Sequence, residues 1–297
     1  MMPGALRRMI STALLLGAAV GLGGGAVGQP PADLSEEAQA GWYVLRAGAC
    51  VACHTAEYNG APFLGGGRAI ETPFGTFYGP NITPDPRYGI GQWEKEDLRR
   101  ALTQGVDPDG RHYYPVFPYT AYTRMTDDDI DALWAYLQTV PATAKPNYRH
   151  EVRWPLTHRS LLMGWKALHF RPGAFEPDPE RSASWNRGAY LVHALGHCAE
   201  CHTPRTRLGG LDPERAFAGN PDVPEDPWPP NITPHPEAGI GQWRERHLIR
   251  YLGFGVTPDG DFAGGSMADF IETSSRHLTE EDLRAIAEYI LSLEPSP

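Results

Sequence analysis

Residues 35–54 read "SEEAQAGWYVLRAGACVACH", and residues 185–202 read "WNRGAYLVHALGHCAECH". Each stretch is a helical pattern that runs into Cys-x-x-Cys-His. Ser35 stands where an N-cap belongs, Glu36 and Glu37 fall in the first turn, and Trp42, Leu45 and Ala49 follow at helical spacing. Tyr190, Leu191, Leu195 and Cys198 repeat that spacing in the second stretch. The expectation is that each cysteine motif ends a helix.

Cys50, Cys53, Cys198 and Cys201 are the four cysteines of the chain, and His54 and His202 complete the two motifs. Paired thiols beside an imidazole form the attachment pattern of a c-type haem. The thiols make thioethers with the haem vinyl groups, and the histidine takes the proximal iron position. Two copies with no cysteine left over imply two covalently bound haem c groups. A redox CxxC would sit in a βαβ pattern that the flanks lack, and zinc would need a further ligand that no nearby cysteine supplies. Disulfides within each pair would leave both histidines without a role.

Working outward, the chain repeats itself. "GPNITPDPRYGIGQW" at 79–93 returns as "PPNITPHPEAGIGQW" at 229–243, with eleven of fifteen positions identical. So much Pro and Gly excludes a helix or a central strand, and the phrase is read as an irregular loop covering one side of each haem. A middle helix follows in each half, "EKEDLRRALTQG" and "RERHLIRYLGFG", then the turn "PDG" at 108–110 and 258–260. The last helices, "TDDDIDALWAYLQTV" and "TEEDLRAIAEYILSL", open on Thr126 with Asp129 and on Thr279 with Asp282, each the pattern of a capping box. Helix ending in CxxCH, middle helix, methionine-bearing loop, last helix is the order of a small cytochrome c domain. The fold class expected is all-α, with two tandem cytochrome c domains joined by a helical connector.

The sixth ligand separates a closed electron carrier from an open catalytic site. After His202 the only methionine is Met267, placed as the second distal ligand. Between His54 and the connector the only methionine is Met125. The offset of the repeated phrase sets Phe117, not Met125, opposite Met267. Met125 is the favoured first distal ligand, with His112 or an open position as alternatives. His193 and His197 are read as structural or surface residues, and Met163 as core.

Residues 1–28 carry Arg7 and Arg8, an apolar run too short to span a bilayer, and a small-residue end at Ala26, Val27 and Gly28. They read as a secretory signal that sends the protein to the periplasm. Removing them leaves 24 Lys and Arg against 36 Asp and Glu, a formal charge of −12. Such a surface argues against nucleic acid as a partner and suits a basic docking partner. The mature chain is expected to have no transmembrane segment. The domain boundaries expected are 33–140 and 184–297, with a connector at 141–183. One amphipathic helix around 156–170 would set Leu161, Leu162, Trp165 and Leu168 across both domains.

The two CxxCH motifs, the doubled "NITP…GIGQW", "YPVFPYTAYTRMTDDD", "RWPLTHRSLLMGWKALHF" and "SASWNRGAYLVHALGHCAECHTPR" stand in an order that carries a resemblance over essentially the whole mature chain. The chain resembles the cytochrome c subunits of periplasmic alcohol, gluconate and fructose dehydrogenases. That resemblance implies electron transfer from a dehydrogenase catalytic subunit to a quinone or a terminal cytochrome, with no substrate chemistry of its own. It also implies thioethers at Cys50, Cys53, Cys198 and Cys201, proximal His54 and His202, and distal Met125 and Met267. Such subunits usually carry a third CxxCH domain and a C-terminal membrane-associating segment. The chain ends at Pro297, so a soluble dihaem carrier is expected rather than direct quinone reduction. A dihaem cytochrome c peroxidase-like enzyme is the competing reading, and it would require one open iron position with acid/base groups beside it.

Overall fold

The computed structural model describes residues 30–223 and 228–297; the signal segment expected at 1–28 lies outside them. The first half of the chain runs α1 (Glu36–Ala47), α2 (Cys50–His54), a hairpin β1 (Ala69–Thr72) and β2 (Gly75–Tyr78), α3 (Lys95–Gln104), α4 (Tyr119–Tyr122) and α5 (Asp127–Leu137). The connector supplies β3 (Glu151–Val152) and α6 (Leu161–His169). The second half runs α7 (Ala183–Tyr190), continued by a π-helical turn at Leu191–Leu195, then α8 (Ala199–His202), α9 (Glu245–Phe254), α10 (Gly265–Thr273) and α11 (Glu280–Leu291). Among the described residues no helix is long and apolar enough to cross a membrane.

The helix ends follow local chemistry. Ser35, Thr126 and Thr279 cap α1, α5 and α11, each side chain accepting from a backbone N–H three residues on. Gly105 and Gly255 end α3 and α9 in the left-handed region that glycine enters without a Cβ penalty.

In each half the first helix crosses the last at a glycine. A Cβ on Gly41 would lie 1.8 Å from the Ala132 carbonyl oxygen, and one on Gly188 would lie 1.9 Å from that of Ala285. Only hydrogen fits there, so α1 meets α5, and α7 meets α11, backbone to backbone. Leu45, Ile130, Leu133 and Leu137 bury themselves around the first crossing, and Leu191, Leu195, Ile286 and Ile290 around the second. The two sets belong to one contiguous apolar core that runs through both halves.

Three expectations are corrected. The fold is mostly helical but not all-α: β1, β2 and β3 form a three-stranded antiparallel sheet, with Ile70 opposite Phe77 and Thr76 opposite Glu151. "AIETPFGTFY" (69–78) has β-forming residues on both sides of a Pro-Phe-Gly turn, and Gly75 supplies the positive φ that the turn needs. The connector is likewise not purely helical, since it contributes β3, and its helix is shorter than 156–170. Of its apolar residues only Leu162 is buried, while Leu161, Leu168 and Met163 are exposed. Trp165 does reach the second half, donating from its indole to the Leu208 carbonyl at 2.9 Å. Finally, the cysteine motifs do not end the long helices. Ala49 and His197 both take positive φ, 52° and 38°, and each breaks the helix one residue before the first cysteine.

Candidate functional site

After the break at Ala49, Cys50, Cys53 and His54 ride together on the single turn of α2; Cys198 caps α8, which carries Cys201 and His202. The histidines are oriented identically. His54 Nδ1 lies 2.7 Å from the Pro80 carbonyl oxygen, and His202 Nδ1 lies 2.7 Å from that of Pro230. A carbonyl only accepts, so Nδ1 carries the proton and Nε2 keeps its lone pair. Burial holds both imidazoles below the ordinary histidine pKa, so they are neutral and ready to ligate. Pro80 and Pro230 stand immediately before the repeated "NITP", which gives the opening residue of that loop a defined task.

Further paired contacts hold each motif. The carbonyls of His54 and His202 accept from the N–H groups of Gly66 and Gly219, both at 2.8 Å. Thr55 Oγ1 accepts from Leu64 N at 3.1 Å, and Thr203 Oγ1 from Phe217 N at 2.9 Å. Sequence reasoning missed Thr55, Thr203, Pro80 and Pro230. A signal existed, because "CHT" and "PNITP" each occur twice.

The donor set fits a covalently held haem better than its competitors. Burial pushes the Cys50 and Cys198 thiols up to about 12, opposite to the lowered value that a redox-active CxxC needs. Among the described residues no group of three or more His, Cys, Asp or Glu side chains is arranged to hold a metal ion.

Met125 is buried in the turn between α4 and α5, within the core that includes Leu98, Leu102 and Ile90. Met267 is half-buried against the same core, in the first turn of α10 rather than in a loop. His112 is engaged elsewhere. Its Nδ1 meets the Lys166 ammonium at 2.8 Å and its carbonyl accepts from Arg159 at 2.8 Å. The same ammonium donates to the carbonyls of Gln104 and Gly105, both at 2.7 Å. Phe117, opposite Met267 in the repeat, packs among Tyr113, Tyr119 and Tyr122.

Both cysteine segments face the boundary between halves. α10 packs on α2, with Arg68 paired to Asp269 at 2.8 Å and Arg46 donating to the Thr273 carbonyl at 3.1 Å. α4 packs on the π-helical turn, where Thr120 donates to Glu200 at 2.6 Å and Tyr122 stands edge-on to His197 at 5.6 Å.

His193 is structural, as expected. Its Nε2 meets the Tyr289 hydroxyl at 2.5 Å, its ring stands edge-on to Phe217, and burial lowers its pKa to about 4. Between pH 6.5 and 4 the unfolded chain binds a proton that the folded chain refuses, so stability falls with pH over that window. After allowance for partial solvent access the loss is about 2–3 kcal/mol. Denaturant titration at pH 7 and pH 4.5 should show it, and His193→Gln should flatten the slope; equal slopes in variant and parent would refute the assignment.

Comparison with known proteins agrees with this geometry. The family model described as Cytochrome c matches residues 38–141 and again 186–294. A diheme cytochrome c-type protein of Cereibacter sphaeroides is 43% identical over 267 residues, which are 87% of this chain and 86% of that protein. The cytochrome c subunit of the quinone alcohol dehydrogenase of Gluconacetobacter polyoxogenes is 39% identical over 93% of this chain and 60% of its own length. One of the subunits of the nicotinate dehydrogenase of Pseudomonas putida is 40% identical over 86% of this chain and 21% of its own length. The chain thus spans only a fifth to three-fifths of these two dehydrogenase subunits. None of these three is described as a peroxidase, and the peroxidase reading is not favoured. The chain belongs to the cytochrome c family, and it is an electron-transfer protein carrying two covalently bound haem c groups.

Proposed function

We propose that the protein is an exported, periplasmic dihaem carrier built from two cytochrome c domains, residues 33–140 and 184–297, joined by the connector at 141–183. It takes electrons from a dehydrogenase catalytic subunit and hands them to a quinone-linked acceptor or a terminal cytochrome. Cys50 and Cys53 hold the first haem and Cys198 and Cys201 the second, with His54 and His202 as proximal ligands and Met125 and Met267 as distal ligands. A haem bound in this way supplies one-electron redox chemistry at its iron. The residues around it fix ligand geometry, exclude water and keep each proximal imidazole in one tautomer. The observation that carries this reading is the duplicated Nδ1 contact to Pro80 and Pro230. It prepares an equivalent proximal ligand for a haem in each half, and the methionine available in each half leaves neither iron the open position that a peroxidase needs. The similarity to dehydrogenase subunits, one of them a cytochrome c subunit, supports the choice of donor.

The test is ligand replacement. Met125→Ala and Met267→Ala are each expected to remove the red charge-transfer band of one Met-ligated ferric haem and to shift one of two potentials, leaving the other site unchanged. The parent protein is expected not to turn over hydrogen peroxide. A high-spin site in the parent together with rapid peroxide consumption would overturn the carrier reading.

A further inference from the structure

The last helices of both halves begin at a threonine cap, and in each the capping arrangement is completed by a tyrosine from the other half. A Thr-x-x-Asp box closes when the Asp side chain reaches back to the threonine N–H. Here a tyrosine hydroxyl stands between the two groups. Tyr43, in α1, accepts from Thr279 N at 3.1 Å and donates to Asp282 Oδ2 at 2.6 Å. Tyr190, in α7, accepts from Thr126 N at 3.2 Å and donates to Asp129 Oδ2. The same contact is made in both directions, as in a two-fold symmetric dimer interface.

The two copies differ in what they hold. Thr279 lies a dozen residues beyond Met267, whereas Thr126 directly follows Met125. The approach to Met125 is also clamped by the connector. Gly173 N donates to Thr123 Oγ1 at 3.2 Å, and Phe175 N donates to the Arg124 carbonyl at 3.2 Å. Phe175 in turn stands edge-on to the Tyr190 ring at 5.5 Å. Besides the turn's own bonds, such as Met125 N to the Tyr122 carbonyl at 2.9 Å, the segments on both sides of Met125 are thus also held by groups outside the first half.

We propose that Tyr190 is the positioning residue for Met125, a hydroxyl of the second half that fixes where the distal methionine of the first half stands. This rests on Met125 being the first distal ligand. Tyr43 is the internal control, because it makes the same two hydroxyl contacts without a methionine beside them, although Asp282 is also held by Arg187 at 2.9 and 2.7 Å.

The experiment compares Tyr190→Phe, Tyr43→Phe and Met125→Leu in the full-length holoprotein, reading thermal stability, the Met-ligand charge-transfer band of each ferric haem, and titration with imidazole. Phenylalanine keeps the ring packing, so both tyrosine variants should fold and attach two haems. Tyr190→Phe is expected to weaken the first-site band and to let imidazole displace the methionine about tenfold more readily, the scale of a lost orienting partner beside a metal ligand. The second site should not change. Tyr43→Phe should lower the melting temperature by less, since Arg187 still holds Asp282, and move neither band. If Tyr190→Phe behaves as Tyr43→Phe does while Met125→Leu abolishes the first-site band, the tyrosine is purely structural and this proposal fails alone. If Met125→Leu leaves the band intact, the ligand assignment fails and this proposal with it.

Discussion

Gly41→Ala or Gly188→Ala is expected to prevent one half of the protein from closing. Alanine is normally the better residue inside a helix, by about 1 kcal/mol over glycine. At these positions the added Cβ would meet a carbonyl oxygen at 1.8 or 1.9 Å and its carbon at 2.5 Å, with Tyr136 Cβ or Tyr289 Cβ below 3 Å as well. The obstructing atoms are mostly backbone of the partner helix, so no side chain can rotate away. Relief requires the helices to separate, which opens the layer around Leu45 and Ile130 or around Leu191 and Leu195. The expected loss is about 3–5 kcal/mol, at the upper end for one methyl group. Thermal unfolding and a count of attached haems per chain measure it, with Gly164→Ala as the control. Gly164 is exposed in α6 with nothing within 4 Å of its Cβ position, so that change should be neutral or slightly stabilising. A Gly41→Ala protein with two haems and the parent melting temperature would show that the crossing is looser than described.

This crossing also marks what could be read from the sequence. The 3.6-residue periodicity and the caps located α1, α3, α5, α7, α9 and α11, because those signals are local. The breaks at Ala49 and His197 left no such trace, since neither alanine nor histidine advertises a left-handed backbone. The hairpin at 69–78 went unread because its strands are four residues each and only partly buried. The offset between Phe117 and Met267 does match a difference in how the two methionine-bearing segments are built. The first half places one turn of α4 and then a turn bearing Met125, where the second half has the nine-residue α10 bearing Met267. The tyrosine brackets had no local signature at all. Tyr43 and Asp282 are 239 residues apart, and periodicity within one segment cannot pair them.

The loop phrase shared by both halves leads to the second large effect, at Asn81 and Asn231. Asn81 is buried, and its Oδ1 accepts from Thr83 N at 2.9 Å and Thr83 Oγ1 at 2.7 Å, while its Nδ2 donates to the carbonyls of Thr143 at 2.7 Å and Lys145 at 3.3 Å. Asn231 accepts from Thr233 N and Oγ1 at 2.8 and 2.7 Å and donates to the Ser296 carbonyl at 2.7 Å. Each asparagine thus ties the loop to the segment that leaves the last helix of its half, and each stands next to the proline whose carbonyl meets Nδ1 of the CxxCH histidine. At about 1 kcal/mol per bond, plus the cost of a stranded Thr N–H, Asn81→Ala should lose about 3–4 kcal/mol. Asn231→Ala, with one bond fewer, should lose somewhat less. Asn81→Asp separates packing from hydrogen bonding. The shape is kept, but an acceptor now faces the Thr143 carbonyl, so the variant should be nearly as unstable as Asn81→Ala. Release of the loop should also move the Pro80 carbonyl away from His54 Nδ1, which frees the imidazole to rotate and shifts the potential of the first haem only. Denaturant titration together with potentiometry of the two haems measures both consequences. An Asn81→Asp protein with the parent's stability and an unshifted first potential would mean that the loop is held by its prolines, with no need of the asparagine.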